Sequence, residues 1–251
     1  VTADDVKRAA ALREGQLQAA AGARRAGIAR KTPAFTGDIE KDFQGAEVVR
    51  FQKADDAAVR VAAAWDDASL HLGWEVKDPT PWTNGAAEPA QMYLGGDTVD
   101  FQIGTDPKAD PNRGEAVLGD LRLSIGNFRG APTAVIYRKV ATEKRPKTFT
   151  SGVVKEYVME HVAVVEGARI QVKAQASSYV VEASIPLAAL GLKPAAGRAL
   201  RGDFGATHGD AAGQRTRLRT FWGNQHTGIV DDAVFELQME PKLWGELLLR
   251  E

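Results

Sequence analysis

The chain contains 251 residues, of which 44% are hydrophobic and 26% are charged, and this is enough to bury one substantial core. Lys and Arg (32) nearly balance Asp and Glu (33), so the net charge of −1 gives no general attraction to nucleic acid or to an anionic membrane. The sequence has no cysteine, which excludes disulfide bonds and thiol catalysis, and no run of about 18 apolar residues that would cross a bilayer.

The first 31 residues differ in composition from the rest of the chain. They are rich in Ala, Arg, Glu and Gln, which favour helix, and Thr2 with Asp5 is typical of a helix start. Gly22 and Gly27 indicate where such a helix would end. Because the apolar stripe of this segment is weak, we predict that residues 1–31 form a helical extension or linker that joins the domain to a neighbour.

From residue 32 onward the pattern changes to short β-strands. Residues 70–76 alternate apolar and polar side chains, and the turn at Asp66 and Asp67 joins them to residues 59–65 in a predicted hairpin. Many short strands with almost no helix between them predict an all-β fold, an antiparallel β-sandwich. The other predicted strands are residues 46–51, 98–103, 119–125, 133–137, 158–165, 168–174, 179–185, 202–207, 216–222 and 245–249.

Two stretches, residues 76–82 (VKDPTPW) and residues 95–106 (GGDTVDFQIGTD), carry the residues of greatest functional interest. The first ends a predicted strand and places Trp82 on a loop bracketed by Pro, where we expect the indole to stand clear of the protein. In the second, the period of two places Thr98 and Asp100 together on the face opposite the apolar side chains. An aromatic ring covers the C–H face of a sugar, and polar groups on a strand bind its hydroxyls, so this pairing favours sugar binding.

The same residues have structural alternatives. The Trp82 ring is explained almost as well by folding back onto the core. Asp100 and Arg122 are explained by a cross-strand ion pair on a solvated face, which contributes little to stability. For the remaining Trp residues we favour core packing or edge contacts: Trp65, Trp74, Trp222 and Trp244.

The chain resembles family 9 carbohydrate-binding modules in an ordered set of motifs: WDDASLHLGWEVKD, GGDTVDFQIGTD, GDLRLSIG, YVVEASIPLAALGL, FWGN and WGELLL. These modules belong to a wider DOMON-like group of β-sandwiches, and the resemblance covers residues 33–251. It implies a jelly-roll or DOMON-like sandwich that binds sugar without catalysing a reaction.

In the sugar-binding members of that family, two Trp rings clamp a terminal sugar and polar side chains bind its hydroxyls. In the loop that follows Asn224 the only ring is His226, so the second ring of the clamp is missing or replaced. The long hairpin region at residues 138–155 is a further departure, which we predict covers or reshapes the binding face. By position, the resemblance implies carbohydrate contacts through Trp82, Asp100, Arg122, Thr207, Asn224 and His226.

The resemblance also implies a structural calcium ion, because relatives in the family carry one. Calcium prefers six to eight oxygen ligands, and residues 38–42 and 231–232 are two of the acidic clusters. The alternative is ordinary turn chemistry, in which Asp and Asn accept bonds from their own backbone. The loop richest in such ligands, residues 106–115, offers Asp106, Asp110, Asn112 and Glu115.

The sequence has no recognisable catalytic motif: it lacks G-x-S-x-G, and its His residues show no metal-ligand spacing. We therefore expect no enzymatic activity. The main alternative to sugar binding is a haem b-binding, DOMON-like electron-transfer domain, with an axial ligand such as Met92, Met159 or Met239 or a His residue. Another alternative is a structural accessory domain without a ligand. The four His residues are His71, His161, His208 and His226.

Together these observations favour a noncatalytic module, residues 32–251, that binds poly- or oligosaccharide. We expect it to be an accessory to a larger bacterial protein that acts on polysaccharides outside the cytoplasm, in the extracellular space or the periplasm. Because the sequence begins with Val1 rather than Met, we interpret it as a mature protein or as a piece of a longer one. We expect neither nucleic-acid binding nor membrane insertion.

Overall fold

The computed structural model describes residue 7, residues 24–224 and residues 230–251. In these ranges the chain forms fifteen β-strands and two four-residue helices, α1 (Ile39–Asp42) and α2 (Leu187–Leu190). No helix in the described ranges is both long and apolar enough to span a membrane. The strands are β1 (Arg25–Arg30), β2 (Val49–Gln52), β3 (Ala58–Trp65), β4 (Ser69–Lys77), β5 (Thr98–Gly104), β6 (Asp120–Phe128), β7 (Ala131–Arg138), β8 (Lys147–Phe149), β9 (Tyr157–Met159), β10 (His161–Val164), β11 (Arg169–Ala174), β12 (Ser178–Pro186), β13 (Ala199–Gly209), β14 (Thr216–Phe221) and β15 (Gly245–Leu249).

The strands form a curled sheet whose two halves pack face to face as a β-sandwich. The first sheet has the order β10-β7-β6-β5-β13-β15-β1, with β14 beside β13. The second sheet has the order β1-β3-β4-β12-β11, with β2 beside β3. Strand β1 belongs to both sheets because its first part pairs in parallel with β15 and its last part with β3. The other strand pairs named here are antiparallel, which confirms the predicted fold class.

The beginning of the sandwich corrects the predicted helical extension. The composition favours helix through residue 31, but the last part of that segment is β1. Ala26 and Ile28 are buried in the core on this strand, so sheet pairing and burial outweigh the local helix preference. The rest of the predicted helix, residues 1–23, lies outside the described residues except for Lys7, which is helical.

The core lies between the two sheets and is built from alternate side chains of each strand. On β5, Val99 and Phe101 point into this core, while Thr98 and Asp100 point to the outer face of the first sheet, as their spacing predicts. Burial of the inner apolar faces is the main force that holds the sheets together. Trp65, Trp74 and Trp222 are buried in this core, as predicted.

The outer face of the first sheet is covered by three segments, residues 86–94, 139–160 and 230–244, which we call the cover. Their apolar side chains form a second hydrophobic cluster with Val135 and Tyr137 of β7. Phe149 and Met159 bring strands β8 and β9 into this cluster, so the hairpin region covers the face as predicted. Trp244 is also buried here, with its Nε1 donating to Gln102 Oε1 at 3.0 Å.

The outer face of the second sheet is covered by a shorter segment, residues 33–46, which includes α1. Phe35, Ile39 and Phe43 pack there against small side chains of the second sheet. A Cβ on Gly73 of β4 would lie 2.5 Å from the Phe43 ring, so this close packing requires glycine. Both outer faces of the sandwich are thus partly closed by chain segments outside the sheets.

Candidate functional site

Trp82 lies on the loop between β4 and β5, at one end of the sandwich. Its ring is half-buried against the core, with the ring centroid 4.5 Å from that of Tyr179 and an interplanar angle of 51°. The indole Nε1 is shielded from solvent and has no hydrogen-bond partner in the described part of the chain. The expectation that this ring stands clear of the protein is therefore wrong, because much of its surface is needed for packing.

Two buried carboxylates hold the Trp82 loop in place. Asp78 accepts a hydrogen bond from the backbone N–H of Thr80 at 2.8 Å and pairs with Nδ1 of His208 at 2.9 Å. Asp97 accepts from two backbone N–H groups, at 2.7 and 3.2 Å, one of them within the loop itself. The exposed part of the indole is therefore presented by an ordered loop.

The two carboxylates differ in their ionisation. Burial acts to raise the pKa of Asp78, but hydrogen bonds from His208 and Thr80 lower this pKa below its ordinary value. Burial raises the pKa of Asp97 to about 7, and the neighbouring charge of Asp78 adds to the rise. This end of the sandwich thus holds one ionised carboxylate beside one that gains a proton near neutral pH.

Asp100 and Arg122 meet on the outer face of the first sheet, as predicted from adjacent strands. Arg122 Nε donates to Asp100 Oδ1 at 3.0 Å, and the Ser124 hydroxyl donates to the same oxygen. Thr98 Oγ1 donates to the other carboxylate oxygen at 3.2 Å. Both members of the ion pair are 0% exposed, so the expected solvated face is wrong. The cover lies over the residues that were predicted to bind sugar hydroxyls.

Thr207 lies in the same buried layer, on the neighbouring strand β13. Its hydroxyl accepts from the backbone N–H of Thr98 at 3.0 Å and lies 2.7 Å from the Thr98 hydroxyl. It also donates to the Gly96 carbonyl at 3.0 Å, and the residue is 0% exposed. Thr207 is therefore close to Asp100 as predicted, but its hydrogen bonds fasten β13 to the start of β5.

The cover contributes its own polar group to this network. The backbone carbonyl of Glu236 accepts from Arg122 Nη1 and, at 2.8 Å, from Arg219 Nη2. The Glu236 carboxylate lies 3.5 Å from Arg219 Nε, and both side chains are almost fully buried. The backbone carbonyl of Glu236 therefore accepts hydrogen bonds from two guanidinium groups, those of Arg122 and Arg219.

Desolvation and neighbouring charges shift the pKa values of the buried groups in this network. Burial lowers the pKa of Arg219 to about 10, with the nearby charge of Arg122 adding to the decrease. Burial raises the pKa of Glu236 to about 7, although both guanidinium groups oppose the rise. Burial disfavours the charge of Arg122 too, but Asp100 outweighs this effect, so the pKa of Arg122 is raised. The network is held by opposite charges under the cover.

Arg219 and Glu236 were missed from the sequence for different reasons. The alternation in β14 places Arg219 on the same face as its partner across the strands, Thr207, so this residue had a recognisable signal. Glu236 had none, because it lies in an irregular segment 114 residues from Arg122. Only the folded chain shows that this segment closes over the face.

Asn224 lies just after β14 and is 7% exposed. Its backbone N–H donates to Asp203 Oδ2 at 2.9 Å, and its Nδ2 donates to Glu240 Oε2 at 3.1 Å. Burial raises the pKa of Asp203 to about 7, even though it accepts backbone hydrogen bonds. Asn224 thus takes part in fixing the turn where the described chain leaves β14. The sixth predicted contact, His226, lies outside the described residues.

No protein-family model matches the sequence, and no curated protein matches it in sequence. Solved structures do match in fold. A family 9 carbohydrate-binding module from Caldicellulosiruptor kristjanssonii in complex with glucose is 18% identical, with a TM-score of 0.59, over 90% of this chain and 96% of that chain. A second structure of a family 9 module from that organism, in complex with cellotriose, is 18% identical, with a TM-score of 0.57, over 90% of this chain and 94% of that chain. The chain has the family 9 fold.

The family 9 fold explains why residues distant in sequence were predicted to lie on adjacent strands. Thr98 pairs with Thr207 across β5 and β13, and Asp100 pairs with Ser124 across β5 and β6. The fold therefore assembles the predicted polar group, while the cover removes it from solvent. Of the predicted contacts that the structure describes, Trp82 keeps the most accessible surface.

The loop predicted to bind calcium forms turns stabilised by its own side chains. Asp106 Oδ1 accepts from the backbone N–H of Lys108 at 2.9 Å, and Asp110 Oδ1 accepts from that of Asn112 at 2.9 Å. These bonds match the turn-chemistry alternative. Glu115 is exposed in the same loop. In residues 24–224 and 230–251, no group of three or more His, Asp or Glu side chains is arranged to hold a metal ion. Calcium therefore stays a prediction, which melting with and without a chelator tests.

The three Met residues considered as haem ligands all lie in the apolar cluster of the cover. Met92 and Met159 are 0% exposed and Met239 is 4% exposed. Each fills space beside aromatic and aliphatic side chains, the usual role of a flexible thioether in a core. The haem alternative gains no support from this placement.

Proposed function

We propose that this chain is a noncatalytic carbohydrate-binding module. The observation that carries the proposal is the family 9 fold over 90% of the chain, shared with modules whose structures contain glucose and cellotriose. A fold alone does not determine a ligand, so the residues of the site must support the same conclusion. The Trp82 loop provides that support.

The exposed part of the Trp82 indole offers a flat, rigid and apolar surface to the C–H face of a sugar. The ring is held by Tyr179 on one side and by the ordered loop, so little conformational entropy is lost when a ligand binds. Asn127, at the end of β6, donates from Nδ2 to the Trp82 carbonyl at 3.3 Å and is partly exposed. With Thr83, also partly exposed, it places polar groups beside the ring.

A sugar could contact the three buried residues only if the cover is displaced, because each of them is 0% exposed: Asp100, Arg122 and Thr207. We therefore assign the first contact with sugar to the Trp82 loop and keep the three buried residues as predicted contacts of an opened state. The proposed accessory role in a larger exported polysaccharide-processing protein follows from the resemblance to the family.

Calorimetric titration with glucose and cellotriose tests the proposal on wild type, Trp82→Ala and Trp82→Phe. Trp82→Ala should weaken binding at least about tenfold, whereas Trp82→Phe, which keeps a ring, should retain part of the affinity. Because the ring is half-buried, Trp82→Ala should also lower the free energy of unfolding by about 2 kcal/mol, so folding is checked at the titration temperature.

Tyr157→Ala provides the matched control. Tyr157 is a half-buried aromatic residue of the cover, with Lys139 Nζ 4.0 Å from its ring centroid. Its loss should leave the first contact of sugar with the Trp82 loop unchanged. Equal affinities of wild type and Trp82→Ala would remove the Trp82 loop from the site. The absence of binding by folded wild type to either sugar, followed by a negative glycan array, would favour a structural accessory domain.

A further inference from the structure

An open cleft of about 550 Å³ lies at the edge of the sandwich. Strands β7 and β10 line it on one side and the end of α2 lines it on the other, while the loops that follow β5 and β7 close its ends. We call it the edge cleft. Its volume lies within the range typical of sites for small ligands.

The edge cleft lies far from the Trp82 loop. Trp82 is bonded to Asn127 near one end of β6, whereas the cleft includes Gly119, just before the other end of that strand. Eight residues of extended strand separate these positions, which corresponds to roughly 25 Å. A ligand in the edge cleft would therefore not touch the proposed Trp82 site.

Arg138 is the notable charged side chain of the cleft, because it is half-buried and lacks an acidic partner. Its Nη2 donates to the Ala189 carbonyl of α2 at 2.9 Å. In the described chain, no carboxylate lies within salt-bridge distance of this guanidinium. Burial lowers the pKa of Arg138 and no neighbouring carboxylate opposes the decrease. An uncompensated guanidinium in a partly desolvated cleft favours an anionic ligand.

The other charges of the cleft are more exposed. Arg145 Nε lies 3.5 Å from Glu143 Oε1, and these side chains are 62% and 73% exposed. Glu166 is also exposed, on the turn after β10. The half-buried part of the cleft therefore contains one guanidinium, that of Arg138. The carboxylates of the cleft, Glu143 and Glu166, lie in its solvent-exposed part. The planar guanidinium of Arg138 fits a carboxylate through paired hydrogen bonds, and its single charge balances that of one carboxylate.

The remaining lining is mixed, as a sugar requires. Ile136, Ala163 and Ala188 provide apolar surface, and Thr105 and Thr142 add hydroxyl groups. We propose that the edge cleft is a second binding site, for a sugar acid whose carboxylate pairs with Arg138. The choice of a sugar as ligand rests on the proposed function. The choice of a carboxylate rests only on the residues of the edge cleft.

Titration of ¹⁵N-labelled full chain with galacturonate, galactose and acetate tests this site by NMR. Galacturonate should shift the amide resonances of Ala163, Ala189 and Gly191, with saturation at millimolar concentration. Galactose and acetate, which each lack one half of the ligand, should bind at least about tenfold more weakly.

Variants then test the role of Arg138. Arg138→Gln should weaken galacturonate binding about tenfold to a hundredfold. Arg138→Lys keeps the charge but loses the planar guanidinium, so its affinity for galacturonate should lie between those of wild type and Arg138→Gln. The matched control is Arg50→Gln, an exposed Arg on the second sheet. Thermal melting shows whether loss of the bond to α2 has unfolded Arg138→Gln, in which case the Arg138→Lys titration decides.

The proposal is overturned if galacturonate does not shift the amide resonances of the cleft, or if galactose or acetate binds as tightly as galacturonate. It is also overturned if Arg138→Gln and Arg138→Lys bind galacturonate with the affinity of wild type. The last result would leave Arg138 only as a residue that stabilises the end of α2. Trp82→Ala should not change the cleft shifts. Failure of the Trp82 site with glucose and cellotriose is therefore distinguishable from failure of the edge cleft with galacturonate.

Discussion

The two outer faces of the sandwich are both covered, but the buried charges beneath the covering segments differ. On the first sheet, Asp100 and Glu236 are buried with Arg122 and Arg219, so opposite charges face each other. On the second sheet, the segment that includes α1 buries two carboxyl groups, Asp42 and Glu182, which are 3% and 1% exposed.

The two carboxyl groups on the second sheet shift each other's pKa values in opposite directions. Burial raises the pKa of Glu182 to about 7, and the adjacent Asp42 adds to the rise. Burial would also raise the pKa of Asp42, but hydrogen bonds from Thr36 and from the protonated Glu182 lower it. The comparison shows two arrangements of buried carboxyl groups under a covering segment: one places them beside guanidinium groups, and the other places two carboxyl groups side by side.

The largest effect is expected from removing one charge of the first face. Asp100→Asn leaves the Arg122 guanidinium buried without its carboxylate, so the free energy of unfolding should fall by about 3–5 kcal/mol. Urea unfolding monitored by Trp fluorescence measures the change. The double variant Asp100→Asn with Arg122→Met removes both charges and should recover part of the loss.

Glu40→Gln is the control for this prediction. Glu40 pairs with Arg50 and Arg60 but is 56% exposed, so its loss should cost less than about 1 kcal/mol. If Asp100→Asn is no more destabilising than this exposed variant, the network beneath the cover is solvated in solution and the first face is open.

A smaller effect is expected from overpacking the second face. Gly73→Ala places a methyl group 2.5 Å from the buried Phe43 ring, so the ring or the segment that carries it must move. We expect a loss of about 1–3 kcal/mol in the free energy of unfolding. Gly152→Ala is the matched control, because a Cβ there meets nothing within 4 Å. Equal stability of the two variants would show that the Phe43 contact is loose.

The last effect is the pH dependence of Glu182, which acts only above about pH 5. Its pKa is about 7 in the folded chain, compared with 4.5 for an unperturbed Glu side chain, so unfolding releases a proton between these values. The free energy of unfolding must therefore fall as pH rises from 5 to about 7. Glu182→Gln mimics the protonated side chain and should remove the part of this decrease that comes from Glu182.

Urea unfolding of wild type and Glu182→Gln at several pH values measures this difference. Other buried carboxyls, among them Asp97, Asp203 and Glu236, also have a pKa of about 7 and are unchanged in the variant, so the difference isolates Glu182. The variant should match wild type near pH 5 and exceed its stability near pH 8. Parallel profiles would mean that Glu182 does not carry a proton in the folded chain.

Much of the fold was predictable because strand periodicity is local. The alternation in residues 70–76 and the turn at Asp66 and Asp67 predicted the β3–β4 hairpin, and the structure confirms it with Trp65 opposite Leu70. The same reasoning placed Thr98 and Asp100 on one face. The helix prediction was wrong for residues 25–30, because the strand that they form exists only through pairing with β15 and β3, both distant in sequence.

The proximity of the predicted polar residues to one another was predictable, but their burial was not. Adjacent strands bring Asp100, Arg122 and Thr207 together as the resemblance implied. Whether they face solvent depends on the cover. The sequence of the Trp82 loop was almost equally compatible with a binding ring and a core ring. In the structure the ring packs against Tyr179 and is half-buried, so binding by its exposed part stays a prediction.

Strand alternation and turn positions, and hence the sandwich, follow from local sequence, because these features depend on neighbours a few residues apart. The burial of the polar face and the open edge cleft are visible only in the folded chain. Those outcomes depend on contacts across long stretches of chain, such as that from Arg122 to Glu236, and burial there is set by packing rather than by local pattern.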